Sequence, residues 1–233
     1  MYNGIKLFAD GADYDDIIRL NEDERIDGFT TNPTLLRKAG VDDYESFAKS
    51  VLTKIKDKPI SFEVFDDSLD GMINQALYIS KWGDNVYVKI PVTNTKGVDT
   101  CSIMGYLSKK EIKINATAIF TSKQAEKILR FLCPRTNAII SVFAGRIANT
   151  LENPMDTISY LHRNYSNPRH EILWASTREL YNIMQAEKIG CEIITVTYDV
   201  IKKMKNIGKD LNQFSQETVQ MFYKDAKESG FKI

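Results

Sequence analysis

Eight short apolar runs alternate with longer amphipathic stretches, each stretch joining one run to the next. This alternation predicts an α/β fold of parallel βα units, and eight such units close into a single (β/α)8 TIM barrel. Length agrees, since 233 residues fall near the about 250 of a typical barrel. No Pro/Gly-rich linker, low-complexity tract or internal repeat interrupts the chain, so residues 1–233 are expected to form one domain.

The elements follow in order. In the first strand, 5–9, Ile5, Leu7 and Ala9 alternate with Lys6, Phe8 and Asp10, and a helical pattern follows near 13–22. The second strand, 28–31, runs into Thr30-Thr31-Asn32-Pro33-Thr34, which reads as an Asn cap with proline at the first position of a helix over 33–56. In the third, 60–65, Ile60, Phe62 and Val64 alternate with Ser61, Glu63 and Phe65, before a helix near 68–82. The fourth, 86–90, sets Val86, Val88 and Ile90 against Tyr87 and Lys89 until Pro91 stops it, and a helix near 98–109 follows. The fifth, 112–116, has Ile112, Ile114 and Ala116 on one side and Lys113, Asn115 and, just beyond, Thr117 on the other; Thr121 to Gln124 then cap a helix over 122–133. In the sixth, 138–143, Ala138, Ile140 and Val142 face away from Ile139, Ser141 and Phe143, with a helix near 153–165. The seventh, 171–175, leads to Ser176-Thr177-Arg178-Glu179, a capping box for a helix over 177–189. The eighth, 192–196, is followed by a pattern over 198–206. A last helix, about 212–229, carries Phe214, Val219, Phe222 and Tyr223 and is expected to pack across the barrel or onto a neighbouring subunit.

Composition narrows the function classes. Lys plus Arg equals Asp plus Glu at 31 each, so no net field draws the chain to nucleic acid or an anionic membrane. No apolar run reaches the roughly 18 residues of a membrane helix, and the basic and apolar regions of a signal peptide are not seen, so a cytoplasmic protein is expected. Cys101, Cys133 and Cys191 form no CxxC, and His162 and His170 lie near none of them, so no zinc site is expected.

In a barrel, alternate strand residues face the interior. By that parity Asp10, Glu63, Lys89, Asn115, Thr117 and Ser141 all point inward near the C-terminal ends of their strands, where barrels place their chemistry. Taken singly, each has a plain structural reading. Glu63 and Lys89 could be a buried ion pair, Lys89 could guard an exposed edge, Asn115 and Thr117 could be satisfied core polars, and Asp10 could cap a helix. Together they are costly to bury without use. A desolvated Lys89 amine could then attack a carbonyl. Arg146 after the sixth strand, with Ser176 and Arg178 after the seventh, add anion chemistry at the side where barrels often hold phosphate.

These residues, in this order, resemble the transaldolase family and, in length, its short branch, which also contains fructose-6-phosphate aldolase. The matching motifs are Leu7-Phe8-Ala9-Asp10, Gly28-Phe29-Thr30-Thr31-Asn32-Pro33, Ser61-Phe62-Glu63-Val64, Val88-Lys89-Ile90-Pro91, Asn115-Ala116-Thr117-Ala118-Ile119-Phe120, Ser141-Val142-Phe143-Ala144-Gly145-Arg146-Ile147 and Ala175-Ser176-Thr177-Arg178. Val142, Gly11 and Ala148-Asn149 depart from the usual proline, threonine and acidic pair of the family.

The resemblance implies a class I, Schiff-base enzyme without metal or cofactor. It would move a dihydroxyacetone unit from a ketose phosphate to an aldose phosphate, as in sedoheptulose 7-phosphate plus glyceraldehyde 3-phosphate giving erythrose 4-phosphate plus fructose 6-phosphate. Lys89 would be the nucleophile, with Glu63 and Thr117 relaying protons through water and Asp10 exchanging the C4 hydroxyl proton. Thr30, Asn32, Asn115, Ser141 and Phe143 would line the sugar, and Arg146, Ser176 and Arg178 would hold its phosphate. Fructose-6-phosphate aldolase resembles the pattern with glutamine at Glu63 and tyrosine at Phe143, so this chain looks more like a transaldolase. Aldolase cleavage releasing dihydroxyacetone stays the alternative, and a non-catalytic sugar-phosphate-binding barrel the second. The resemblance also implies a homo-oligomer, a pentamer or decamer.

Overall fold

A computed structural model describes residues 4–232. The chain divides into two compact units, Met1–Ile201 and Lys202–Ile233. In the first, eight parallel strands close in chain order: β1 (Lys6–Asp10), β2 (Gly28–Thr30), β3 (Ile60–Glu63), β4 (Val86–Pro91), β5 (Ile114–Ile119), β6 (Ala138–Val142), β7 (His170–Trp174) and β8 (Ile193–Thr197). Pairing of Lys6 with Ile193 through Asp10 with Thr197 closes the ring. The strands are short and apolar on their outer parity because helices cover that side.

Helices follow the expected caps. α1 (Tyr14–Asn21) starts at Asp13, whose carboxylate accepts from Asp16 N, and α2 (Pro33–Lys38) starts at Asn32, whose carbonyl oxygen accepts from Leu35 N. The single helix expected over 33–56 is two: α3 (Tyr44–Lys54) begins at Asp43 after Gly40 reverses the chain at φ +70°. α4 (Leu69–Ile79), α5 (Cys101–Lys109) and α6 (Ser122–Phe131) follow, and Thr121 with Gln124 forms the capping box read from the sequence. α7 (Ala144–Ala148) is a short additional helix between β6 and α8 (Pro154–Asn164).

The Ser176 capping box is not formed, because Ser176 sits at φ +63°, outside the extended region an N-cap needs. Instead α9 (Asn182–Lys188) starts later, and the Asn182 side chain accepts from Arg178 N at 2.9 Å and Glu179 N at 3.1 Å. α10 (Tyr198–Lys203) ends the set. In the second unit, α11 (Leu211–Glu228) is capped by Asp210, and it buries none of its own side chains.

The barrel interior is filled by Phe8, Tyr87, Ile139, Leu173 and Ile193, all of inward parity. Phe65, expected inward, lies past the end of β3 and is half exposed. β5 runs past Ala116, with a register shift against β6 between Ala116 and Ile119 and Ala118 at φ +57°, which turns the strand end at the barrel mouth.

Gly28 lies against the Phe8 ring, where an added Cβ would come within 2.6 Å. Gly28→Ala is therefore expected to destabilise the barrel by about 1–3 kcal/mol through overpacking, read as a lower denaturant midpoint; an unchanged midpoint would show that the Phe8 ring can yield.

Candidate active site

Strand register assembles the site. Glu63 pairs with Lys89 across β3 and β4, and Lys89 with Asn115 across β4 and β5. Asp10 pairs with Thr30, so inward side chains at the C-terminal strand ends converge. They line a cavity of about 350 Å³ shared by Asp10, Thr30, Asn32, Glu63, Lys89, Thr117, Ser141, Phe143, Arg146 and Ser176.

Lys89 is 6% exposed. Its Nζ donates to the Thr31 carbonyl at 2.8 Å and lies 3.4 Å from Glu63 Oε2. Asp10 Oδ1 accepts from the Thr30 hydroxyl at 2.9 Å, and the Thr30 and Thr195 hydroxyls are 2.6 Å apart. Since Thr30 donates to Asp10, Thr195 must donate to Thr30. Burial pushes the Asp10 carboxyl up; the Lys89 charge and hydrogen bonds from Thr30 and Asn32 oppose it without cancelling it. Asn32 thus serves twice, as cap of α2 through its oxygen and as a partner of Asp10.

Beneath the cavity runs a second chain: Ser141 Oγ donates to Asn115 Oδ1 at 2.7 Å, and Asn115 Nδ2 to Ser61 Oγ at 2.9 Å. Asn115 is fully buried and reaches the cavity through Ser141. The Thr117 hydroxyl is buried without a hydrogen-bond partner and faces the cavity, a position suited to holding a water or a substrate oxygen.

On the far rim, Phe143 is flanked by Phe120, at 5.9 Å between ring centroids, and by the Arg146 guanidinium at 5.4 Å. Arg146, expected in a loop, is carried by α7. α7 approaches the Ser176 backbone so closely that a Cβ on Gly145 would fall 1.7 Å from the Ser176 carbonyl oxygen, which brings Arg146 and Ser176 to one side. Arg178 stands outside the cavity lining. Its Nε faces the Gly145 carbonyl at 3.5 Å, and the Asn149 amide, turned with its oxygen toward Arg178, accepts from Nη2 at 3.2 Å. Asn149, a departure from the family pattern, thus braces that arginine.

Sequence reading missed Thr195, Thr34, Leu35 and Ala118 in the lining. Thr195 is nonetheless legible, since inward parity on β8 selects Ile193 and Thr195. Among the described residues no cluster of three or more His, Cys, Asp or Glu could hold a metal, and no helix is long and apolar enough to cross a membrane.

The raised Asp10 carboxyl has a stability consequence. The folded state holds that proton more tightly than the unfolded chain, so its contribution is present below the ordinary carboxylate value and is lost as pH rises through the raised one. Asp10→Asn removes that loss. The variant is expected to melt at or above the parent temperature at neutral pH, the gap narrowing in acid; a variant less stable at neutral pH than in acid, relative to the parent, would contradict this.

Comparison with known proteins places this geometry. The sequence model of the transaldolase/fructose-6-phosphate aldolase family matches residues 7–233. A protein of Thermoanaerobacter sp. (strain X514) named probable transaldolase is 34% identical over 98% of this chain and 100% of its own length. Another, from Sulfurihydrogenibium sp. (strain YO3AOP1), is 35% identical over 86% of this chain and 88% of its own. Among solved structures, KGPDC from Streptococcus mutans aligns with TM-score 0.57 at 11% identity, covering 86% of this chain and 91% of that one, and shares the barrel fold alone. A barrel mouth where a buried lysine shares one cavity with two carboxyl groups, and a family match along almost the whole chain, together show that this chain belongs to the transaldolase/fructose-6-phosphate aldolase family, as an enzyme of the aldolase type.

Proposed function

We propose that the chain is a transaldolase that moves a dihydroxyacetone unit between sugar phosphates through a Schiff base on Lys89. The observation that carries this reading is the Lys89 amine, buried at the cavity floor, 3.4 Å from Glu63. The Lys89 nitrogen would attack the C2 ketone of a ketose phosphate. The resulting carbinolamine loses water, with Glu63 and a water held at the Thr117 hydroxyl carrying the protons.

The iminium then accepts the electron pair of the C3–C4 bond as Asp10 takes the C4 hydroxyl proton and the aldose departs. An acceptor aldehyde reverses these steps: the enamine forms the new bond, Asp10 returns the proton to the new hydroxyl, and water hydrolyses the imine. The carboxyl of Asp10, raised by burial, is suited to both directions. Ser141 and Asn32, both in the cavity lining, would hold the hydroxyls of the three-carbon unit. Arg146 and Ser176, on one rim, suit the distal phosphate, and Arg178 would act through Gly145 and Asn149.

Transfer is favoured over simple cleavage because Phe143, between Phe120 and Arg146, has no hydroxyl with which to protonate the enamine. The exposed Phe214, Val219, Phe222 and Tyr223 of α11 support a homo-oligomer, consistent with the rings of five or ten that the resemblance implies.

Borohydride added with fructose 6-phosphate is expected to fix a covalent adduct on Lys89, read by intact mass and peptide mapping; an unmodified Lys89 would refute the Schiff-base reading. In a coupled assay, turnover is expected only with an acceptor aldehyde present, and Phe143→Tyr is expected to add measurable dihydroxyacetone release. Equal release with and without acceptor in the parent would favour the aldolase reading.

A further inference from the structure

One rung of the sheet is missing at the barrel mouth, and its two halves are used separately. Phe29 pairs with Ile60 and Thr30 with Ser61; Phe29 N donates to the Pro59 carbonyl at 2.8 Å and Thr31 N to the Ser61 carbonyl at 3.3 Å. Even spacing of parallel bonds makes the next rung Glu63 N–H to the Thr31 carbonyl. Instead Glu63 N–H donates to the Tyr44 hydroxyl at 2.7 Å, and the Thr31 carbonyl accepts from Lys89 Nζ at 2.8 Å. The same hydroxyl donates back to the Glu63 carbonyl at 3.2 Å.

We propose that Tyr44 is a positioning residue for the Lys89 amine: by capping the Glu63 N–H it holds that rung open and leaves the Thr31 carbonyl facing Nζ. The proposal rests on Lys89 being the nucleophile. One N–H committed to Thr31 fixes rotation about the Cε–Nζ bond, so the lone pair of the free amine is restricted to the remaining directions. Tyr44 itself is held rigidly. It opens α3 directly after the Asp43 cap, and its ring packs against Phe65, Trp82 and Phe62 with centroids 4.6, 5.7 and 6.1 Å away. It stands outside the lining of the Lys89 cavity and lines a separate cleft behind Glu63 with Tyr78 and Trp82. Burial pushes its phenol well up, so it stays a neutral donor and acceptor. No substrate contact is required of it.

Tyr44→Phe keeps the ring and removes only the hydroxyl. The Glu63 N–H, left without an acceptor, would turn to the Thr31 carbonyl and compete with Nζ. At saturating fructose 6-phosphate, borohydride trapping on Lys89 is expected to slow by about 10-fold, the equivalent of one lost hydrogen bond in the reacting geometry, with KM within about 2-fold of the parent. Tyr78→Phe, in the same cleft, removes a hydroxyl that donates to Glu45 at 2.7 Å and is expected to trap at the parent rate.

A Tyr44→Phe protein that traps at the parent rate, whatever its melting temperature, would overturn the proposal, as would a raised KM with unchanged trapping. Equal slowing in Tyr78→Phe would also overturn it, since the cleft as a whole would then be at fault. If the parent itself yields no Lys89 adduct, the nucleophile reading fails and this inference falls with it. A parent adduct with no Tyr44 effect removes the inference alone.

Discussion

A lysine amine enclosed by a closed barrel must be given acceptors or give up its proton, and the mouth of this barrel is organised around that demand. Lys89 is buried at the base of the mouth cavity, so its neighbours supply most of what water would. The Thr31 carbonyl takes one N–H and Glu63 stands at ion-pair distance. Parallel register sets Glu63 beside Lys89, and the Thr31 carbonyl is open to Nζ because the Glu63 N–H goes to the Tyr44 hydroxyl instead. The second carboxylate, Asp10, is set apart on β1 with its own donors, Thr30 and Asn32. Two carboxylates in different settings around one amine is the arrangement that separate proton tasks require.

The polar groups at the cavity wall and beneath it are satisfied by one another. Ser61, Asn115 and Ser141 form one hydrogen-bonded chain, and Thr195 and Thr30 another that ends on Asp10. Each chain fixes the direction of its hydroxyls, so the groups that reach the cavity present a defined donor or acceptor. The buried Thr117 hydroxyl, without a protein partner, is the exception among them, on a residue of the cavity lining.

Much of this was legible in the sequence because a period of two survives in short strands. Parity together with position near the C-terminal strand ends selects Asp10, Glu63, Lys89, Asn115, Thr117 and Ser141, and all six belong to the barrel mouth or its underlying hydrogen-bond chain. Caps written in local chemistry, Asn32-Pro33 and Thr121 to Gln124, were legible for the same reason. What the sequence does not show depends on the long-range approach of segments. Ser176 reads as a cap, yet its backbone is bent into the left-handed region where α7 crowds it at Gly145. The break between α2 and α3 hides inside a continuous amphipathic pattern, and only Gly40 and the Asp43 cap announce it. Tyr44 carried no signal, because its role arises from a ladder bond that pairing makes available and geometry leaves unmade.

The most direct test of the account is a crystal structure of the protein soaked with a ketose phosphate. Continuous electron density from Lys89 Nζ to C2 of the sugar, with Asp10 within hydrogen-bond reach of the C4 hydroxyl and the phosphate on the Arg146 and Ser176 rim, is the predicted result. A sugar phosphate seated elsewhere, or one lying in the cavity with Lys89 Nζ still bonded only to Thr31 and Glu63, would contradict it.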